Sequence, residues 1–205
     1  MKLLDRQDVF KQYKILASHI HGIQQSFYDE DEEESYTSKF DTISLTVKDY
    51  NTHNFCVRVA SDQKALHPLE ISGKLKALFT EIDCEALILI PFIKLDFFSS
   101  KNSTYADIAE AYKNLATHIP TKTHTEALEV SLTDLNEFVH IIYTLATEDL
   151  NFPEFTVWFD KQQRFAFFIC RYGNLHITDY TDGTLVTESL FLKHDFKLDD
   201  YPQFE

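Results

Sequence analysis

FTVWFDKQQRFAFFICRYGNLHITDYTDGTLVTESLF, residues Phe155 to Phe191, decides the fold. It reads as four short strands joined by three polar turns. Lys161 to Arg164 is a polar four-residue loop between apolar runs. Gly173-Asn174 suits a two-residue II′ turn, with glycine at the first central position. Asp182-Gly183 suits a I′ turn, which needs positive φ at both central residues. Each turn fixes a register. Phe159 then lies opposite Ala166, Val157 opposite Phe168, Tyr172 opposite Leu175, and Asp179 opposite Val186.

This register predicts a core face of Phe155, Val157, Phe159, Ala166, Phe168, Cys170, Tyr172, Leu175, Ile177, Val186 and Leu190. Burial of each large apolar side chain contributes roughly 1.5–3 kcal/mol. A one-residue slip would turn the whole set outward. Asp179 and Glu188 fit this face poorly and belong near a rim. The opposite face carries Trp158, Phe167, Tyr180 and Leu185 in one row, flanked by Arg171 and His176. Such a face is either covered by helices or offered to a partner, since Trp, Tyr and Arg dominate interface energetics. Arg171 and His176 could also hold a phosphate or carboxylate as cross-strand neighbours, although no base–nucleophile pair stands beside them.

Upstream, Asp5 to His21 reads as one amphipathic helix closed by Gly22. Thr42 to Tyr50 and Asn54 to Ala60 alternate like two arms of a hairpin. Pro68 opens a helix to about Phe79. Ala86 to Ile93 is apolar on both faces, like an internal strand in which Pro91 marks the end or a bulge. Thr104 caps a helix ended by Pro120, Ala127 to Ser131 is a short strand, and Asp134 with Glu137 opens an apolar helix as a capping box. The sum is an α+β fold. Its mainly antiparallel sheet ends in a C-terminal four-stranded meander, about 154–192, packed by several amphipathic helices. The 205 residues suit a single domain; lobes 1–100 and 101–205 are the alternative division, but no linker separates them.

Composition bounds the function. Thirty-three Asp and Glu against 19 Lys and Arg give a net charge of −14. That field repels nucleic acid and anionic membranes and steers in a basic protein. The run Asp29, Glu30, Asp31, Glu32, Glu33, Glu34 is a candidate contact for such a partner. No apolar run approaches a membrane span, and residues 1–8 lack the apolar stretch of a signal peptide. Cys56, Cys84 and Cys170 are odd in number and far apart, which suits buried free thiols in a reducing cytoplasm.

The four glycines form no phosphate-binding motif, and no cofactor or metal motif is present. These features predict a non-enzymatic binding protein, an inhibitor or immunity protein for a basic toxin or nuclease. Its expected contacts are the acidic run with Trp158, Phe167, Arg171, His176 and Tyr180. The alternatives are an enzyme or small-ligand domain assembled around Arg171, His176 and Tyr180, and an oligomerisation module or subunit using the aromatic face.

Overall fold

The computed structural model describes residues 1–27, 39–43, 50–59, 67–98, 100–121, 123–153 and 155–199. Among them the chain is α+β, with six helices and eight strands. The strands are β1 (Lys2–Leu4), β2 (His53–Arg58), β3 (Ala86–Pro91), β4 (Ala127–Ser131), β5 (Thr156–Asp160), β6 (Phe165–Ile169), β7 (Leu175–Asp179) and β8 (Lys197–Leu198). The helices are α1 (Arg6–Gln12), α2 (Lys14–Ser26), α3 (His67–Glu81), α4 (Ala106–His118), α5 (Leu135–Glu148) and α6 (Glu188–Lys193). The strands form one antiparallel sheet in the order β1-β4-β3-β5-β6-β7-β2-β8.

Both faces of the sheet are covered. Leu87, Leu89, Trp158, Phe167, Leu175 and Ile177 share one core with residues of α3, α4 and α5, such as Leu75, Leu115 and Phe138. Ile88, Ile90, Val157, Phe159 and Ala166 share the other with Val9, Leu16, Ala17 and Ile20 of α1 and α2. Strand alternation sends neighbouring residues to opposite cores. Every residue of β3 is buried, as its unbroken apolar run predicts.

The β5–β6 register is the expected one, with Val157 opposite Phe168 and Phe159 opposite Ala166. The β6–β7 register differs by three residues. Ile169 lies opposite Leu175, and the Cys170 and Gly173 amides bond the Asn174 and Cys170 carbonyls at 2.9 and 2.8 Å. The loop is therefore Arg171-Tyr172-Gly173, with Gly173 at φ +80°, a three-residue connection that needs left-handed backbone at its last position. Three is odd, so Leu175 and Ile177 join Trp158 and Phe167 on the α3/α5 side.

The fourth strand of the meander is absent. Asp182 and Gly183 have the positive φ that a I′ turn requires (56° and 69°), and the Thr184 amide closes it on the Thr181 carbonyl. The chain then enters α6, whose first turn is capped by the Thr187 hydroxyl accepting from the Leu190 amide. β2 takes the place beside β7, with Phe55 opposite Ile177. The Asp179 carboxylate explains its poor fit to a core face: it accepts from the Thr181 amide and hydroxyl and the Gly183 amide, tying the turn to the end of β7.

Other boundaries move for identifiable reasons. The N-terminal helix breaks at Tyr13 (φ −112°, ψ 89°), and the Gln163 side chain accepts the freed Ile15 amide. α2 runs on through Gly22, so that glycine ends nothing. Tyr105, not Thr104, occupies the cap position of α4. Asp134 caps no amide of α5, because its carboxylate takes the Met1 ammonium at 2.6 Å and the Ser131 hydroxyl at 2.8 Å. The second arm of the expected 42–60 hairpin is β2; most of the first arm lies outside the described residues. No helix among the described residues is long and apolar enough to cross a membrane.

Gly173 is also a packing constraint. A Cβ built there would stand 2.5 Å from the Tyr143 hydroxyl oxygen, and that hydroxyl bonds His67 Nδ1 at 3.0 Å. Gly173→Ala should cost on the order of 1–3 kcal/mol in urea unfolding, from strained φ and the close approach together. Gly22→Ala, inside α2 and facing open space, should instead stabilise by about 0.5–1 kcal/mol. Equal effects at the two positions would remove the role given to the β6–β7 turn.

Candidate functional site

The expected surface residues disperse. Trp158 and Phe167 stack nearly parallel, 5.6 Å between centroids, at 0% and 1% exposure. They lie in the core shared with α3 and α5, so the aromatic row is not an accessible face. The apolar stripes of those helices require that face for their own burial. A second copy of the chain has no access to it either. Tyr180 lies on the opposite side of the sheet, hydrogen-bonded to His19 Nδ1 of α2 at 2.6 Å. Arg171 reaches past the end of α5 to the Leu150 carbonyl. His176 stacks on Phe168 (centroids 4.6 Å apart) and faces Cys56 on the α2 side. Arg171, His176 and Tyr180 therefore engage three different neighbours and form no common site. The acidic run Asp29 to Glu34 lies outside the described residues.

Register brings together one set of reactive residue types that the sequence kept apart. Cys56 lies opposite His176, with Sγ 3.9 Å from Nε2. Asp199 stands nearby, its amide bonded to the Cys56 carbonyl and its carboxylate accepting from Asn174 Nδ2 at 2.6 Å. Electrostatics decides what this cluster does. Burial pushes the Cys56 thiol up to about 12, with the neighbouring Cys170 and Asp199 adding to it. Burial also lowers His176, against the opposing pull of Asp199. A nucleophilic cysteine needs a thiolate stabilised beside a cation. Here the neutral thiol and neutral imidazole are favoured, so the pair is packing.

Cys84 is pushed up to about 12 as well, again first by burial. Cys56 lies on β2 and Cys170 just past the end of β6, on either side of β7; two strand spacings put them roughly 9–10 Å or more apart, beyond the reach of a disulfide. Among the described residues no three His, Cys, Asp or Glu side chains are placed to hold a metal ion together.

One open feature is a groove between α4 and α5. It forms a cavity of about 480 Å³ that Pro68, at the start of α3, also lines. Asp107, Glu110 and Asn114 recur at helical spacing along its α4 wall; His140, Tyr143, Thr144, Thr147 and Glu148 do so along α5. The opposite stripe of α4, with Ile108, Tyr112 and Leu115, is buried. The groove is thus the polar shoulder of two amphipathic helices. Its described lining holds three carboxylates and no Lys or Arg. Burial raises the pKa of Tyr143, which keeps its hydroxyl neutral. The helical spacing of these polar residues was visible in the sequence; that α4 and α5 lie side by side was not.

Two outcomes follow from buried neutral groups. Iodoacetamide on the native protein, read by peptide mass spectrometry, should label half-buried Cys170 well before Cys56 or Cys84; rapid labelling of Cys56 would contradict its assignment as packing.

His19, lowered to about 4 by burial between α2 and the sheet, binds fewer protons folded than unfolded between pH 6.5 and 4. Its stabilising contribution is complete above pH 6.5 and lost as pH falls toward 4. The size is at most roughly 3 kcal/mol, reduced by solvent at the ring's partly exposed edge. His19→Gln should flatten that part of the stability–pH curve, and an unchanged curve would assign the acid sensitivity elsewhere. Comparison of the chain with family models, with curated proteins and with solved structures found no match.

Proposed function

We propose that this chain is a non-enzymatic, acidic protein-binding protein, an inhibitor or immunity protein that neutralises a basic toxin or nuclease. One observation carries the reading: on a chain of net charge −14, the α4–α5 groove has three carboxylates and no Lys or Arg in its described lining. A cleft lined by one sign of charge focuses the field and concentrates ligands of the other sign. Carboxylates spaced one helical turn apart, as at Asp107 and Glu110, can occupy the positions that phosphates take on a nuclease surface. Association driven this way is fast at low salt and weakens as salt rises. The same charge opposes binding to nucleic acid. Free thiols at Cys56, Cys84 and Cys170 suit a protein working in the reducing cytoplasm.

The test is capture of partners from the native cell at low and then moderate salt, followed by addition of the chain to the captured protein. The expected result is a basic protein released by salt, whose toxic or nuclease activity falls on stoichiometric addition. Asp107→Asn with Glu110→Gln and Glu148→Gln should weaken that inhibition by about tenfold or more, a loss of some 1.4 kcal/mol or above. A tightly co-purifying metabolite with no basic protein partner would overturn the reading.

A further inference from the structure

The acidic groove continues into a second cavity of about 600 Å³, and Glu148 lines both. Tyr105, Ile108 and Leu150 line this second cavity. Among the described residues, Leu150, Tyr105 and Tyr172 are the most exposed large apolar side chains, at 76%, 73% and 72%; the next is Leu69 at 55%. The first two meet at this end of the molecule. Tyr105 and Leu150 share the cavity wall, and Arg171 at 3.5 Å from the Leu150 carbonyl brings the β6–β7 turn, with Tyr172, alongside. Isolated exposed apolar residues are ordinary, but a group around a cavity marks an interaction site.

The loop that presents Leu150 is held in place. Buried Asp149 accepts from the Tyr112 hydroxyl at 2.6 Å and from the Asn151 amide at 3.0 Å, and the Asn151 side chain donates to Ser100 Oγ at 3.0 Å. A fixed loop loses little conformational freedom on binding.

We infer that this end is the apolar anchor of the partner interface, and that its occupant is a basic amphipathic helix of the partner. This rests on the binding function proposed above. A groove between two helices accepts a third helix by its apolar face, with anchors one turn apart. One apolar side chain of the partner seats between Tyr105 and Leu150, while its Lys and Arg side chains lie along Asp107, Glu110 and Glu148. Charge complementarity selects this occupant: a second copy of a chain at −14 would bring like charge to the same groove.

The probe is a synthetic helical peptide with Leu at one-turn spacing and Lys elsewhere, compared with a peptide of the same charge carrying Ser in place of Leu. Affinities come from titration calorimetry, and the contact from backbone amide shifts. The Leu/Lys peptide should bind more tightly and shift amides around Tyr105, Glu148 and Leu150. The double variant Tyr105→Ser, Leu150→Ser changes only exposed side chains, and its unchanged melting temperature would verify folding. It should weaken the Leu/Lys peptide about tenfold and leave the Ser/Lys peptide unaffected. Glu148→Gln should weaken both.

Equal binding of the two peptides, or no effect of the double variant, would remove the anchor and leave the charge-driven function standing. Binding of neither peptide at low salt would remove the anchor, and the acidic groove as a docking site with it. A dimer that dissociates in the double variant would name a second copy as occupant and overturn the inference.

Discussion

Strand β3 is buried along its whole length and on both sides, and that requirement shapes everything built around it. Alternate residues of one strand feed two separate cores: Leu87 and Leu89 point to α3, α4 and α5, while Ile88 and Ile90 point to α1 and α2. Neither face can be left to water, so the helices must divide between them. The division also sets what is available for recognition. Strand aromatics such as Trp158 and Phe167 are used up inside, and the outward sides of the helices and the loops at their ends carry the accessible chemistry. The α4–α5 groove with its flanking loop is where those sides form a concave surface.

How much of this was legible in the residues depends on whether the deciding contact is local. The β5–β6 register follows from a polar loop between matched apolar runs, and the structure has it. The β6–β7 register turns on whether Gly173 opens a two-residue turn or ends a three-residue one. Pattern could not arbitrate, because both faces of β6 are apolar. What decides is the left-handed backbone at Gly173 against the Tyr143 hydroxyl, a contact 30 residues away in sequence.

At Asp182-Gly183 the local rule gives the right dihedrals and the wrong sequel. The strand beside β7 comes from residues 53–58, and Thr187 starts a helix instead. The site follows the same division. The polar residues of α4 and α5 recur visibly in the sequence, but their meeting in one groove is a tertiary fact.

Burial explains why residue types associated with catalysis pack here as neutral groups. Cys56, His176 and Asp199 come together, yet desolvation holds the thiol protonated and the imidazole neutral. His19 and Tyr180 show the same effect at the contact of α2 with the sheet: both are held neutral, and one hydrogen bond satisfies them. The buried Arg6 is different, since it is paired with a carboxylate. Its Nε donates to both oxygens of Asp41 at 2.9 and 2.8 Å, and Gln24 bridges the same carboxylate to the Phe92 carbonyl. That network fastens residues 39–43 to α1 and α2.

The margins of the sheet carry a consequence of their own. Among the described residues they are β1 and β8, three and two residues long, and each exposes a lysine, Lys2 and Lys197. A foreign strand laid against either margin would find few amides and carbonyls to pair with, and a positive charge beside them. Aromatic-rich strands such as β5 and β6 are thereby sealed in the middle, away from the polymerising contacts that lead to fibres. A companion that meets β1 or β8 would accordingly grip side chains more than backbone.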